Sequence, residues 1–261
     1  MTSIQKRFMN QLGWLSWLCL IGIALFGCRG DNQTLDRIQA DGVIRVGLDP
    51  TFPPFENGDG GLHGIDVDLA EAIGRELGVR VEFVLFGYDG LYDALQIGRC
   101  DILLSALIVD VTKTKDFTYS EPYFNAGQFL VLREDQNETT ELADFEGKTL
   151  SVETGSAGHV AAISAQNRVR DLGIKTFPTP DDAMWTVLQG ETDGAIIDQV
   201  NAKLYAQTHS GLVLAPNPVT VEPYAIVTRK DDGALKRELN HILVGLEQSG
   251  ELNSIVSRWL D

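Results

Sequence analysis

Cysteine is scarce in this chain, and the places of its three copies remove disulfide bonding from consideration. Cys19 lies inside an apolar run and Cys28 at the end of it, which leaves Cys100 without an intramolecular partner. Cys100 reads as a small buried residue at a strand entrance. Histidine is thin as well. His63, His159, His209 and His241 stand apart, with no His or Cys at metal-ligand spacing, so no metal and no cofactor are expected. A Gly-x-Ser-x-Gly elbow, a Walker loop and a dinucleotide fingerprint are all missing, and an enzyme is not expected. Positive charge is short: 21 Lys and Arg against 37 Asp and Glu give a net charge of -16. Such a surface repels nucleic acid and anionic membrane, tolerates cationic solutes, and keeps a soluble domain dispersed.

A long apolar run is lacking too. Leu12 to Phe26 extends for about 15 residues, where a membrane-spanning helix needs about 20. With Lys6 and Arg7 ahead of it, the run reads as an export signal over residues 1–27. Its end, Leu25-Phe26-Gly27-Cys28, resembles the bacterial lipobox, in which the Cys is lipidated and becomes the mature N-terminus. Cys28 is therefore the expected lipid attachment point, and residues 28–41 the attachment and tether, with a first helical turn or two at Thr34 to Ala40. An uncleaved signal anchor is the alternative. Either way the folded part is expected outside the cytoplasmic membrane, in the periplasm or at the cell surface, held to the membrane at its N-terminus.

What is present is an internal echo. Gly98-Arg99-Cys100-Asp101-Ile102-Leu103-Leu104-Ser105 and Gly190-Glu191-Thr192-Asp193-Gly194-Ala195-Ile196-Ile197-Asp198 each follow a helical stretch ending in Leu-Gln. Each turns through Gly into a short apolar run that ends on a polar residue. A helix feeding a short apolar strand is half of a parallel α/β unit, and such sheets bind ligands beyond the carboxyl ends of their strands. Ser105 and Asp198 thus read as cleft-facing residues delivered by two similar lobes.

The remaining pattern agrees. Val43 to Leu48 is a strand, followed by Asp49 to Phe55, a loop stiffened by three prolines. Asp66 and Asp68 open a helix with Leu69, Ala70, Ile73 and Leu77 on one face; capping and the helix dipole explain their acidity better than metal binding. Strands at Val81 to Phe86 and Asp101 to Ala106 flank a helix at Gly90 to Gln96. Thr149 to Val152 restarts the alternation, with helices to about Arg170, at Asp181 to Gln189 and at Gln199 to Ser210, and strands at Ile174 to Phe177, Ala195 to Ile197 and Leu212 to Leu214. A strand at Tyr224 to Thr228 precedes two last helices, Ala234 to Glu247 and Glu251 to Trp259. Trp185 shares a helical face with Leu188 and is expected in the core.

Gly47 to Phe55, Gly64 to Ala70, Asp89-Gly90-Leu91 and Asp116 to Phe124, in that order, resemble the family 3 extracellular solute-binding proteins, and the likeness runs from about Val43 to Leu260. The resemblance implies a type II periplasmic-binding-protein-like α/β fold. Each of its two lobes is a mainly parallel sheet flanked by helices, and two strands form the hinge. It implies lobe 1 at residues 42–125 and 225–261, lobe 2 at 126–224, and hinge crossings at Phe124 to Leu132 and Val221 to Ala225. The implied function is capture of a small polar solute for an ABC permease, by a monomer.

The resemblance also implies a site. Phe52 and Tyr88 match the aromatic positions that sandwich the ligand, and Asp49 a position that contacts a basic side chain. Ser105 matches a first-lobe hydroxyl acceptor, Ser156 the second-lobe loop that attracts a carboxylate, and Asp198 the carboxylate that takes the ligand ammonium. Lys113 stands where amino acid binders carry a carboxylate-clamping Arg, Ile108 stands where a small hydroxyl residue is usual, and the neighbour of Ser105 is Ala106. Glu153, facing the cleft, would join Asp49 and Asp198 against one Lys, which favours an amino acid or amine with a cationic group. The rival reading is an exported lyase resembling cyclohexadienyl dehydratase, with Glu153 as acid and Lys113 holding a carboxylate.

Overall fold

The computed structural model describes residues 33–136 and 141–260. The export signal, Cys28 and most of the tether lie outside the described residues. The first lobe opens with α1 (Gln33–Asp41), β1 (Val43–Leu48), the hairpin β2 (Thr51–Phe52) and β3 (Glu56–Asn57), α2 (Ile65–Leu77), β4 (Arg80–Leu85), α3 (Leu91–Gln96), β5 (Ile102–Leu103) and β6 (Phe117–Tyr119). A short strand, β7 (Phe124–Asn125), leads to the second lobe. There stand β8 (Gln128–Arg133), β9 (Thr149–Glu153), α4 (Ala157–Gln166), β10 (Gly173–Phe177), α5 (Pro180–Leu188), β11 (Gly194–Asp198), α6 (Gln199–Ala206) and β12 (Leu212–Pro218). The chain returns through β13 (Pro223–Tyr224) to β14 (Val227–Arg229), α7 (Gly233–Ser249) and α8 (Glu251–Leu260).

Two five-stranded sheets result, ordered β4-β1-β5-β14-β6 and β10-β9-β11-β8-β12. In each, three neighbouring strands run parallel and the fourth runs antiparallel. The antiparallel strand is in both cases the segment that has just crossed between lobes, β14 in the first and β8 in the second. The hinge is narrower than the sequence implies: β7 and β13 pair through Phe124–Tyr224 and Asn125–Pro223, whereas Gln128 to Leu132 belong to the second sheet.

Both faces of both sheets are covered, which is why the central strands are largely apolar instead of alternating, while the edge strands β4 and β10 carry Arg80, Glu82 and Lys175. Leu130 and Leu132 point into one core of lobe 2 and Val131 into the other; Ile196 and its neighbours Ala195 and Ile197 divide likewise. In lobe 1, Ile44, Val46 and Ile102 join α2, α7 and α8 in one core, and Leu103 and Val227 join α3 in the second. The last helices thus return to lobe 1. The helical turns read at Thr34 to Ala40 are α1, which belongs to lobe 1 and not to a tether, since Ile38 is fully buried in that core. One helix ties the lobes. On α6, Ala202 and Tyr205 pack into lobe 2, whereas Val200 and Leu204 lie against the lobe 1 core.

Trp185 corrects an expectation. It is 51% exposed, because the inward face of α5 is set by Ala183, Met184 and Val187, and Trp185 projects from the helix about 100° beyond Met184, away from that face.

Candidate functional site

The carboxyl ends of β1 and β5 in lobe 1, and of β9 and β11 in lobe 2, carry the polar residues singled out from the sequence. Asp49 follows β1, Ser105 lies two residues beyond β5, Glu153 ends β9 and Asp198 ends β11. The hinge aromatic Tyr224 has Glu222 beside it, Asp198 of lobe 2 and the buried Asp66–Glu56 pair of lobe 1 around it; burial first, then the negative charge on these acidic groups, pushes its hydroxyl up to about 12. Acidic groups from both lobes therefore converge on the hinge.

Each residue has a local reason for its place. The Asp49 N–H donates to Ser105 Oγ at 3.0 Å, and its carboxylate accepts the Thr51 hydroxyl at 2.7 Å. Ser105 in turn donates to Glu56 Oε1 at 2.5 Å. Ser156 caps α4: its oxygen accepts the His159 N–H at 3.1 Å, and its hydroxyl donates to the Glu153 carbonyl at 2.9 Å. Asp198 caps α6, accepting the Asn201 N–H at 2.9 Å and the Asn201 side-chain amide at 2.8 Å. Its carboxylate stays half-exposed, with lone pairs to spare.

The aromatic walls belong to lobe 1. Phe52 is 50% exposed and stacks on the buried Phe55 at 5.9 Å, which meets Phe124 and Tyr224 of the hinge edge-on at 5.1 and 5.2 Å. Tyr88 is 65% exposed in a one-turn 3-10 helix that precedes α3. Lys113 lies over the Tyr92 ring, its Nζ 4.7 Å from the centroid. Ile108 and Val109 run beside β13, with the Val109 N–H donating to the Pro223 carbonyl at 3.1 Å. The loop after β5 is thereby laced to the hinge.

Three residues beneath the cleft escape sequence reasoning. Glu56 and Asp66 are fully buried and Tyr123 nearly so. Glu56 follows Phe55 in a proline-rich turn, where nothing in the pattern marks a carboxylate for the interior. Asp66 carries a visible signal that points elsewhere: an acid in a first helical turn implies capping, yet α2 has Gly64 at its N-cap and no side-chain cap. The Asp66 carboxylate instead accepts the Ala106 N–H at 2.7 Å from across the lobe, and Ala106 holds φ at 46°. Asp68 likewise turns outward, to Arg258 at 2.7 Å and the Trp259 indole at 2.9 Å. Among the described residues no group of His, Cys, Asp and Glu could hold a metal ion, and no helix is long and apolar enough to cross a membrane.

Known proteins share this architecture. The chain is 25% identical over 236 residues to the L-arginine-binding protein of Pseudomonas aeruginosa, covering 87% of this chain and 91% of that one. It is 27% identical over 250 residues to the cyclohexadienyl dehydratase of the same organism, covering 93% and 92%. The structure of an ancestral cationic amino acid solute-binding protein superposes with a TM-score of 0.63 at 31% identity, over 87% of this chain and 100% of that one. Residues 44–261 match one family throughout. Two α/β lobes, acidic strand ends meeting at a paired-strand hinge and this match along the sequence have one reading: the chain belongs to the bacterial extracellular solute-binding proteins, family 3.

Proposed function

We propose that this protein captures a cationic amino acid, of the arginine or lysine class, between its lobes and delivers it to an ABC permease. The observation that carries the reading is the placing of three carboxylates at strand ends, Asp49 in lobe 1 and Glu153 and Asp198 in lobe 2, with Lys113 the one cation among the proposed site residues and already over the Tyr92 ring. In this reading Asp198 takes the ammonium, and Asp49 and Glu153 attract the basic side chain. Phe52 and Tyr88 hold its aliphatic stem, adding roughly 0.5–2 kcal/mol where a cation meets a ring face. Lys113 and the α4 start around Ser156 receive the carboxylate. A ligand touching both lobes binds the closed state more tightly than the open one, and that difference drives closure about β7 and β13. Export, with attachment through a lipid on Cys28, and action as a monomer complete the proposal.

The relatives named for arginine and cationic amino acids support the ligand class. Thermal-shift titration of the purified protein tests it. L-arginine, L-lysine and L-ornithine are expected to raise Tm, since ligand at about 100 times its Kd adds about 2.7 kcal/mol. Neutral and acidic amino acids at the same concentrations are expected to do little. Equal shifts from L-glutamine and L-glutamate would sink the cationic reading, and consumption of prephenate or arogenate would replace binding with catalysis.

A further inference from the structure

Glu56 on β3 and Asp66 in the first turn of α2 lie side by side beneath the cleft, where solvent does not reach them. The groups that face them are Asp49, Ser105, Tyr123 and Tyr224, with Asp198 and Glu222 beyond Tyr224; none is a cation. Two ionised carboxylates cannot share such a place, so the pair must hold a proton. The donors around it show where. Glu56 Oε1 receives the Ser105 hydroxyl at 2.5 Å, and Asp66 Oδ2 receives the Ala106 N–H at 2.7 Å. The oxygens left over, Glu56 Oε2 and Asp66 Oδ1, are buried with the Tyr123 hydroxyl, short of well-formed hydrogen bonds among the described residues.

We propose that Glu56 is the positioning residue of the cleft floor, a neutral acid whose proton sits on Oε2 and points to Asp66 Oδ1. Asp66 is the better carboxylate of the two, because a backbone N–H is already fixed on it and the Tyr123 hydroxyl lies against it. Burial, then the Asp66 charge, push the Glu56 carboxyl up from 4.5 to about 10, above its partner. The chain of donors then runs without a gap: Asp49 N–H to Ser105 Oγ, Ser105 hydroxyl to Glu56, Glu56 acid to Asp66, and Ala106 N–H to Asp66. Its consequence for the ligand rests on the function proposed above. With its hydrogen drawn into the wall and one lone pair taken by Asp49, Ser105 offers the cleft an acceptor only, which selects an N–H-bearing group.

Glu56→Gln tests the assignment, because the glutamine amide copies the proposed state: its oxygen accepts from Ser105 and its N–H donates to Asp66. The variant is expected to fold, with a Tm no lower than that of the wild type at about pH 6. Between the unfolded and folded pKa values the native wild type holds one proton more than the unfolded chain, so its stability falls as pH rises. The wild-type Tm is therefore expected to drop relative to Glu56→Gln by roughly 10 °C between about pH 6 and about pH 9. Infrared spectroscopy at neutral pH should show a protonated-carboxyl band that Glu56→Gln removes. A Tm gap that does not move with pH, an unfolded Gln variant, or a spectrum unchanged by the substitution would each overturn the assignment. A protein that meets all three expectations and ignores L-arginine keeps its shared proton and loses only the ligand reading.

Discussion

Asp193 accepts the Thr149 N–H at 2.7 Å and returns its own N–H to the Thr149 carbonyl at 2.9 Å. In the other lobe Asp101 does the same to Arg45, at 2.8 Å in both directions. The repeated Gly-x-x-Asp segments thus pin the strand that leaves each helix to the neighbouring parallel strand, by side chain as well as by backbone. The two copies differ in charge. Asp101 is fully buried and also binds the Arg45 guanidinium at 2.7 Å and that of Arg37 at 2.6 Å, whereas Asp193 is half-exposed. Asp101→Ala is accordingly expected to cost roughly 3 kcal/mol and Asp193→Ala roughly 1 kcal/mol in urea unfolding. Equal losses would show that the guanidinium pairs contribute nothing.

Gly64 is expected to tolerate no side chain. Its φ of 138° lies outside the range L residues adopt readily, and an added Cβ would stand 2.1 Å from the Phe55 carbonyl oxygen. Gly64→Ala must push apart the turn that brings β3 against α2, and with it Glu56 from Asp66. A loss of more than about 2 kcal/mol is expected from thermal unfolding, with the lobe 1 aromatic signal in near-UV circular dichroism reduced. Wild-type stability would mean that the turn is not held as tightly as the backbone contacts imply.

Asp198 has two duties that substitution can separate. Asp198→Asn keeps an oxygen for the Asn201 N–H and removes the charge, so stability without ligand should stay within about 0.5 kcal/mol of wild type while the Tm shift with L-arginine disappears. Asp198→Ala should lose the shift and about 1 kcal/mol of stability besides. A retained shift in the Asn variant would remove the residue from the proposed site.

Lys113 is placed to discriminate between the ends of the ligand. If it receives the carboxylate, Lys113→Gln should weaken L-arginine about 10- to 100-fold by calorimetry and leave agmatine, which has no carboxylate, almost unaffected. Equal loss for both would assign Lys113 to support of the Tyr92 ring alone.

Much of the fold is legible in the sequence because both lobes use the same local code. Short apolar strands, helices closed by Gly78 or Gly190, and the two Gly-x-x-Asp turns are set by residues close together in the chain. Trp185 is misplaced by a helix face judged from one neighbour, Leu188, which leaves out Ala183, Met184 and Val187, the residues that pack into the lobe 2 core. The narrow hinge was hidden for another reason. Gln128 to Leu132 continue the apolar run of the crossing, and only pairing with β11 and β12 assigns them to lobe 2.

Periodicity, glycine placement and chain order determined the two α/β lobes and marked Asp49, Ser105, Glu153 and Asp198 at strand ends, since a strand's direction and its terminal residue are local properties. Tertiary structure alone decided which carboxylates are buried and what their neighbours are. Glu56 and Asp66 lie ten residues apart and Ser105 and Ala106 about forty further on, and the protonation of the two acids depends on desolvation and on donors brought from those separate segments. That energy exists only once the lobe has closed around them.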